Sequence, residues 1–341
     1  MLICLAIIPK IIPMITFLLS NIIKIMRLAA ISIAFLLIFP GISFAKTPIG
    51  IRYKHEIFSD VDITKDVVYG SNYQDGKPIE LKMDVYEPHG DTASKRALII
   101  FIHGGGFTGG DKAGKPWVAL CTTFAKRGYV AASINYRLQS HLQNESDVKK
   151  AVTEAMHDAK AAVRYFRRYA QQWRIDESRI AIAGGSAGAI TALHVTYLRE
   201  KEYEGNSGNA GYSSNVSACI DLWGGLYDNV TQIDEGEPPV CIIHGTLDKV
   251  VPYSEALNIS QRCKQVGVYH ELHPLEGEGH GPWHLIKKFL PWMVNFLYSK
   301  MIKSKEVRKI PFLDLPWIIF LLIIRAATSN YLDFEWIALY E

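Results

Sequence analysis

The stretch from Ile180 to Leu198, IAIAGGSAGAITALHVTYL, decides the fold. Ile180 to Ala183 is an apolar run with no polar alternation, as in a strand covered on both faces. Ala189 to Leu198 reads as a helix, and between the two lies Gly184-Gly185-Ser186-Ala187-Gly188. A serine on so sharp a turn has a strained backbone, and the residues two positions away must be small for strand and helix to approach. Gly184 and Gly188 meet that need. Strand, serine turn and helix together are the setting in which G-x-S-x-G presents a hydroxyl nucleophile at the edge of a sheet.

Outward from this turn, Ala97 to Ile102, Tyr129 to Ile134 and Val240 to Ile243 are further continuous apolar runs, whereas Ile79 to Tyr86 alternates like a half-buried strand. Val148, Val152, Ala155, Ala159, Ala162, Phe166, Ala170 and Trp173 recur at helical spacing, as do Trp283, Ile286, Leu290, Met293 and Leu297. The pattern predicts an α/β domain over residues 46–300, with a mostly parallel central sheet and helices on both faces. The polar stretch from Arg199 to Ser214, REKEYEGNSGNAGYSS, is expected to be an exposed loop or lid, so any cap is small or absent.

His103-Gly104-Gly105-Gly106-Phe107 directly follows the run ending at Ile102. Its glycines expose bare backbone N–H groups, which can stabilise the negative charge that develops on a carbonyl oxygen under attack. A dinucleotide-binding loop would need G-x-G-x-x-G opening a helix and an acid about 20 residues on, and neither is evident. A serine hydroxyl also needs a base, and the base needs an acid to fix its tautomer. Asp248, in GTLDKVVP, follows the Val240–Ile243 run. His280, in GEGHG, follows an expected strand at Tyr269–Pro274. Both stand at the carboxyl ends of strands, where open parallel sheets place their sites. Asp221 is the rival acid, and His273 and His284 are rival bases. His194 and His244 are expected to pack near the site, and Asp158 with Arg137 to form a structural pair.

The motifs HGGGF, GGSAG, GTLDKVVP and GEGHG, in that order and spacing, resemble the bacterial carboxylesterase and feruloyl-esterase-like group of α/β-hydrolases over about Val67 to Leu297. The resemblance implies the α/β-hydrolase fold and a serine esterase that uses Ser186, Asp248 and His280, with the Gly105, Gly106 and Ala187 amides as oxyanion hole. It implies no metal and no cofactor, and a small-molecule or carbohydrate-linked ester as substrate. Phe107 and Trp223 are candidates to line the substrate pocket, with Gly224 and Gly225. A serine peptidase of the same fold and a non-catalytic binding module are the competing readings.

The 341 residues carry 37 Lys+Arg against 34 Asp+Glu. The excess lies in an apolar leader, residues 1–45, which contains Lys10, Lys24 and Arg27 and no acid. The remainder is neutral, which argues against nucleic acid as a partner. Met26-Arg27, the apolar run to Phe39, Pro40-Gly41 and the small pair Ser43 and Ala45 resemble a secretory signal peptide, so export to the periplasm or medium is expected. The alternative is an uncleaved membrane anchor. Residues 301–341 read as a basic linker and an apolar tail, and Trp317 to Ile324 is too short to span a bilayer. Leader and tail are the two segments able to touch a membrane. Of five cysteines, Cys121, Cys219, Cys241 and Cys263 follow the leader. They include no C-x-x-C pair and no Cys/His cluster at metal-ligand spacing, so structural zinc is not expected. Two disulfides or four buried thiols remain open.

Overall fold

The computed structural model describes residues 51–74 and 76–303, so the expectations for the leader and for the tail beyond residue 303 lie outside the described residues. Eight strands, β1 (Val61–Gln74), β2 (Lys77–Pro88), β3 (Arg96–Ile102), β4 (Val130–Ile134), β5 (Ile175–Gly185), β6 (Ala218–Leu222), β7 (Val240–Gly245) and β8 (His270–Leu275), form one sheet. Their order is 1-2-4-3-5-6-7-8. β1 and β2 pair antiparallel, as do β2 and β4, and every later pairing is parallel.

Successive side chains of a strand point to opposite faces, and the core divides accordingly. Leu98, Ile100 and Ile102 of β3 join Ile180 and Ile182 of β5 on one face. That face is covered by α2 (Glu145–Arg168), α3 (Ala187–Tyr197) and α4 (Tyr253–Val266). Ile99, Phe101, Ala181 and Ala183 point to the other face, under α1 (Lys115–Ala125) and α5 (Ile286–Leu297). Continuous apolar runs were therefore the correct mark of the doubly covered strands. Asn144 starts α2 by accepting the Asp147 N–H at 3.0 Å, while Asp147 accepts from the Gln143 N–H at 2.8 Å.

Four expectations need correction. Met83 to Tyr86 of β2 are all buried rather than alternating, because this half of the strand lies beside β4 inside the sheet. The buried Asp84 there is held by Lys112 Nζ at 2.8 Å. The predicted long helical stripe is shorter than expected: α2 ends at Arg168, Ala170 and Trp173 follow it in turns, and Val148 faces solvent. The polar stretch 199–214 is mostly exposed, as expected, but not throughout. Glu204 pairs with Lys160 at 3.2 Å and with Arg164 at 2.7 Å, and Ser207, fully buried, donates to Asp158 Oδ1 at 2.6 Å. Its polarity satisfies buried charges on α2. The domain also runs past residue 300, since Met301 and Ile302 are buried against it.

The expected Arg137–Asp158 pair is present: Nε and Nη2 of Arg137 both reach the carboxylate at 2.9 Å. Breaking one side of such a buried pair costs about 3–5 kcal/mol. The four described cysteines are buried free thiols, which decides against disulfides among them. Among the described residues no helix is long and apolar enough to cross a membrane.

Candidate active site

Ser186 stands between β5 and α3 with φ 56° and ψ −124°, a conformation uncommon for any residue but glycine. Its N–H donates to Leu222 O of the neighbouring β6 at 2.9 Å, which ties the turn to the sheet. The glycines explain how the chain reaches this shape. A Cβ on Gly188 would lie 2.1 Å from Ile102 O of β3, and one on Gly184 2.2 Å from Gly188 O.

Asp248 comes from the loop after β7 and His280 from the loop after β8. These loops are joined, because the Leu247 N–H donates to Glu278 O at 2.9 Å and the Thr246 N–H to Leu275 O at 3.1 Å. The Asp248 Oδ1 atom accepts the N–H groups of Val250 and Val251 at 2.8 and 3.0 Å. Its Oδ2 atom lies 2.7 Å from His280 Nδ1, and His280 Nε2 lies 2.7 Å from Ser186 Oγ. A carboxylate only accepts, so Nδ1 carries the proton and Nε2 is free to accept from the serine hydroxyl. The three residues named from sequence are thus in one hydrogen-bonded chain.

Gly105 and Gly106 have φ of 122° and 61°, and the Gly105 carbonyl turns away to accept from Thr108 and Gly109 at 3.1 and 3.0 Å. A Cβ on Gly105 would lie 2.1 Å from Gly109 O, so the loop requires glycine there. The loop is anchored by His103, whose buried ring stacks on Tyr136 at 4.5 Å, and by the Tyr136 hydroxyl, which donates to His103 O at 3.0 Å. Burial holds the His103 imidazole below its ordinary pKa, hence neutral. Ala187 is the first residue of α3, where a backbone N–H has no partner within the helix.

Gly105, Gly106, Ser186 and His280 open onto a cavity of about 390 Å³ walled by Trp117, Trp223 and Trp283. Trp283 meets Trp117 at 5.1 Å and Trp223 at 4.9 Å, both edge to face at 88°. Trp223, a candidate from sequence, is among the residues that line this cavity. Phe107 is a correction: it is buried in the core beside Tyr136, 6.2 Å between rings, and does not line the cavity, because its backbone at φ 61° turns the side chain inward. Trp117 and Trp283 were missed as site residues. Trp283 was read as part of a helical core stripe, and it instead belongs to a separate short turn, Trp283–Leu285, before α5.

The rivals fall elsewhere. Asp221 is fully buried, accepts from the Gly224 N–H at 2.7 Å and is pushed up to about 7 by desolvation. His273 binds Glu271 at 3.0 Å, and His284 lies 3.4 Å from Glu278. His194 donates from Nδ1 to Ile190 O at 2.8 Å, and burial lowers its pKa to about 4. His244 does more than fill space: its Nε2 lies 2.9 Å from Val251 O and 3.4 Å from Asp248 Oδ2, so the ring backs the carboxylate that faces His280.

Comparison with known proteins gives two adjoining family matches: BD-FAE over residues 83–228 and the prolyl oligopeptidase family over residues 225–298. Among curated proteins the chain is similar to the esterase LipC of Mycobacterium tuberculosis, 24% identical over 63% of this chain and 59% of that one. It is also similar to the probable isoprenylcysteine alpha-carbonyl methylesterase ICMEL1 of Arabidopsis thaliana, 22% identical over 70% and 55%. The chain thus spans a little under three fifths of the length of these relatives. Among solved structures it is similar to esterase 2 of Thermogutta terrifontis, 26% identical with TM-score 0.59 over 70% of this chain and 92% of that one. The same esterase phosphorylated by paraoxon gives 26% and 0.60 over 74% and 98%.

Proposed function

We propose that this chain, which belongs to the α/β-hydrolase family, is a serine carboxylic-ester hydrolase acting on small or carbohydrate-linked esters. The observation that carries the reading is the unbroken Ser186–His280–Asp248 chain, at 2.7 Å for each link, opening onto an apolar cavity beside a glycine loop. Ser186 Oγ attacks the ester carbonyl as its proton passes to His280 Nε2, and the imidazolium is stabilised by Asp248. The Gly105, Gly106 and Ala187 amides receive the oxyanion, each such donor being worth roughly 3–4 kcal/mol in the transition state. His280 returns the proton to the leaving alcohol, and water then releases the acid from Ser186 by the same route.

The cavity walls are indoles, glycines and Val250, apart from the catalytic groups, which suits an uncharged acyl group. Similarity to a propionate- and butyrate-bound esterase agrees with a short acid portion. The match of residues 225–298 to the prolyl oligopeptidase family supports a second reading, amide hydrolysis by the same residues, since that segment holds both Asp248 and His280. A panel of acetyl, butyryl, long-chain, feruloyl and acetylated-xylan esters with a peptide amide tests the choice. Turnover of esters with the amide inert is the expected result; turnover of the amide alone overturns the ester reading. The leader's sequence supports export, and cell fractionation with N-terminal sequencing checks it: a mature chain starting at Lys46 is expected, and an intact Met1 or Met26 contradicts it.

A further inference from the structure

We propose that Cys241, Glu271 and His273 form a binding site for one zinc-type divalent cation, separate from the Ser186 site. Cys241 of β7 is directly opposite Glu271 of β8, and Ile243 is opposite His273, so the three side chains share the face of the sheet covered by α5. One donor atom from each, Sγ, a carboxylate oxygen and an imidazole nitrogen, lies within 4.8 Å of the other two. No sequence spacing could reveal this set, because Cys241 lies 30 residues before Glu271 and 32 before His273 and only strand pairing unites them.

The geometry is close to what the ion requires. Zinc bonds of about 2.0–2.2 Å to nitrogen and oxygen and about 2.3 Å to sulfur in a tetrahedron put donors roughly 3.3–3.6 Å apart. His273 Nε2 and Glu271 Oε2 are already 3.0 Å apart. The sulfur needs to close by no more than about 1.3 Å, a rotamer-scale movement.

The groups behind the donors hold them in orientation, as hydrogen-bonded and packed neighbours of metal ligands do. The Tyr269 hydroxyl donates to Glu271 Oε1 at 3.0 Å, leaving Oε2 to face the histidine. The His273 ring lies flat on Trp292 of α5, 4.5 Å between centroids and 6° between planes, which fixes its rotation. Burial raises the Cys241 thiol well above its ordinary pKa, so a cation would supply the positive charge that the thiolate lacks. On binding, the thiol releases its proton to solvent, and the imidazole moves its proton from Nε2 to Nδ1 to free the ligating lone pair. One divalent cation, one thiolate and one carboxylate sum to zero charge in a site where Cys241 is buried and Glu271 and His273 are partly exposed, so that water can take the fourth position. The bond would clamp β8, the edge strand that ends five residues before His280, to β7.

The test is titration of the tag-free, chelator-treated full chain with Co²⁺, a coloured stand-in for zinc. Expected are a thiolate-to-cobalt charge-transfer band that saturates at one equivalent, its displacement by Zn²⁺, and a Tm several degrees higher with Zn²⁺. Cys241→Ser should lose the band, and His273→Ala and Glu271→Gln should each weaken Co²⁺ binding roughly tenfold or more. Cys263→Ser should bind as wild type does. Ester turnover reports that each variant has folded; the partly exposed His273 and Glu271 keep the test available if Cys241→Ser does not fold. Absence of a thiolate band at one equivalent, or undiminished binding by the His273 and Glu271 variants, overturns the proposal.

Discussion

Replacing Gly188 by alanine probes how tightly the nucleophile turn is held against the sheet. The added Cβ would lie 2.1 Å from Ile102 O and 2.6 Å from His103 O, where ordinary contact begins near 3.4 Å. The deficit of about 1.3 Å faces backbone on both sides, so no side-chain rotation relieves it, and α3 must move away from β3. Overpacking a well-filled interior costs about 1–3 kcal/mol, and a rigid backbone contact belongs at the upper end. For a domain of this size, about 3 kcal/mol lowers Tm by about 6–12 °C. The same movement shifts Ser186 relative to Gly105 and Gly106, and a displacement near 1 Å at reacting groups costs about a hundredfold in rate. The assay is thermal melting together with kcat/KM on p-nitrophenyl acetate. Gly279→Ala is the control, since its Cβ would meet nothing within 4 Å and its φ is unexceptional. A Gly188→Ala protein with Tm within about 2 °C of wild type and unreduced turnover would refute the reasoning.

Four further outcomes are expected. Asp248→Asn keeps an oxygen for the Val250 and Val251 amides but opposes an NH₂ to His280 Nδ1, so kcat should fall on the order of 10⁴-fold with little change in Tm. Trp283→Ala removes the ring wedged between Trp117 and Trp223 and enlarges the cavity, so the ratio of octanoyl to acetyl kcat/KM should rise about tenfold, the equivalent of ~1.4 kcal/mol; an unchanged ratio means the ring does not bound the acyl group. Asp221 holds a proton up to about pH 7 in the fold against an ordinary carboxylate value of 3.8, so it favours the folded state at low pH and that contribution is lost as pH rises from about 4 through 7. Urea unfolding of Asp221→Asn at pH 5 and pH 8 should therefore show a smaller loss of stability at the higher pH than wild type does, and parallel losses contradict it. Native protein should leave Cys121, Cys219, Cys241 and Cys263 unalkylated by iodoacetamide, and denatured, unreduced protein should modify all four, as buried thiols require.

The sequence was most legible where one local rule governs. Apolar runs without alternation identified the doubly covered strands, and the small residues around Ser186 marked the nucleophile turn because only glycine permits a 2.1–2.2 Å approach of a would-be Cβ to backbone. Asp248 stood out from Asp221, which also follows an apolar run, by the turn-forming Pro252 in its loop, and His280 from His273 and His284 because those two fall in the strand and helix patterns on either side. What failed depends on contacts distant in sequence. The stretch 199–214 looked solvated, yet its Glu204 and Ser207 answer buried charges on α2. Phe107 sat in the right motif, but its backbone turns the ring into the core, and the cavity wall is instead formed by Trp117 and Trp283, 166 residues apart. His244 packs beside the site as expected, and its place 3.4 Å behind Asp248, only four residues away in sequence, is set by the turn of the loop after β7.

The central claim, that Ser186 is the hydroxyl that takes the acyl group, is tested most directly by reacting the purified protein with a fluorophosphonate and locating the adduct by peptide mass spectrometry. One phosphonyl group per chain on Ser186, with ester hydrolysis lost in proportion and with Ser186→Ala folded yet inert, is the predicted result. Modification elsewhere, or a Ser186→Ala protein that still turns over p-nitrophenyl esters, would contradict the account.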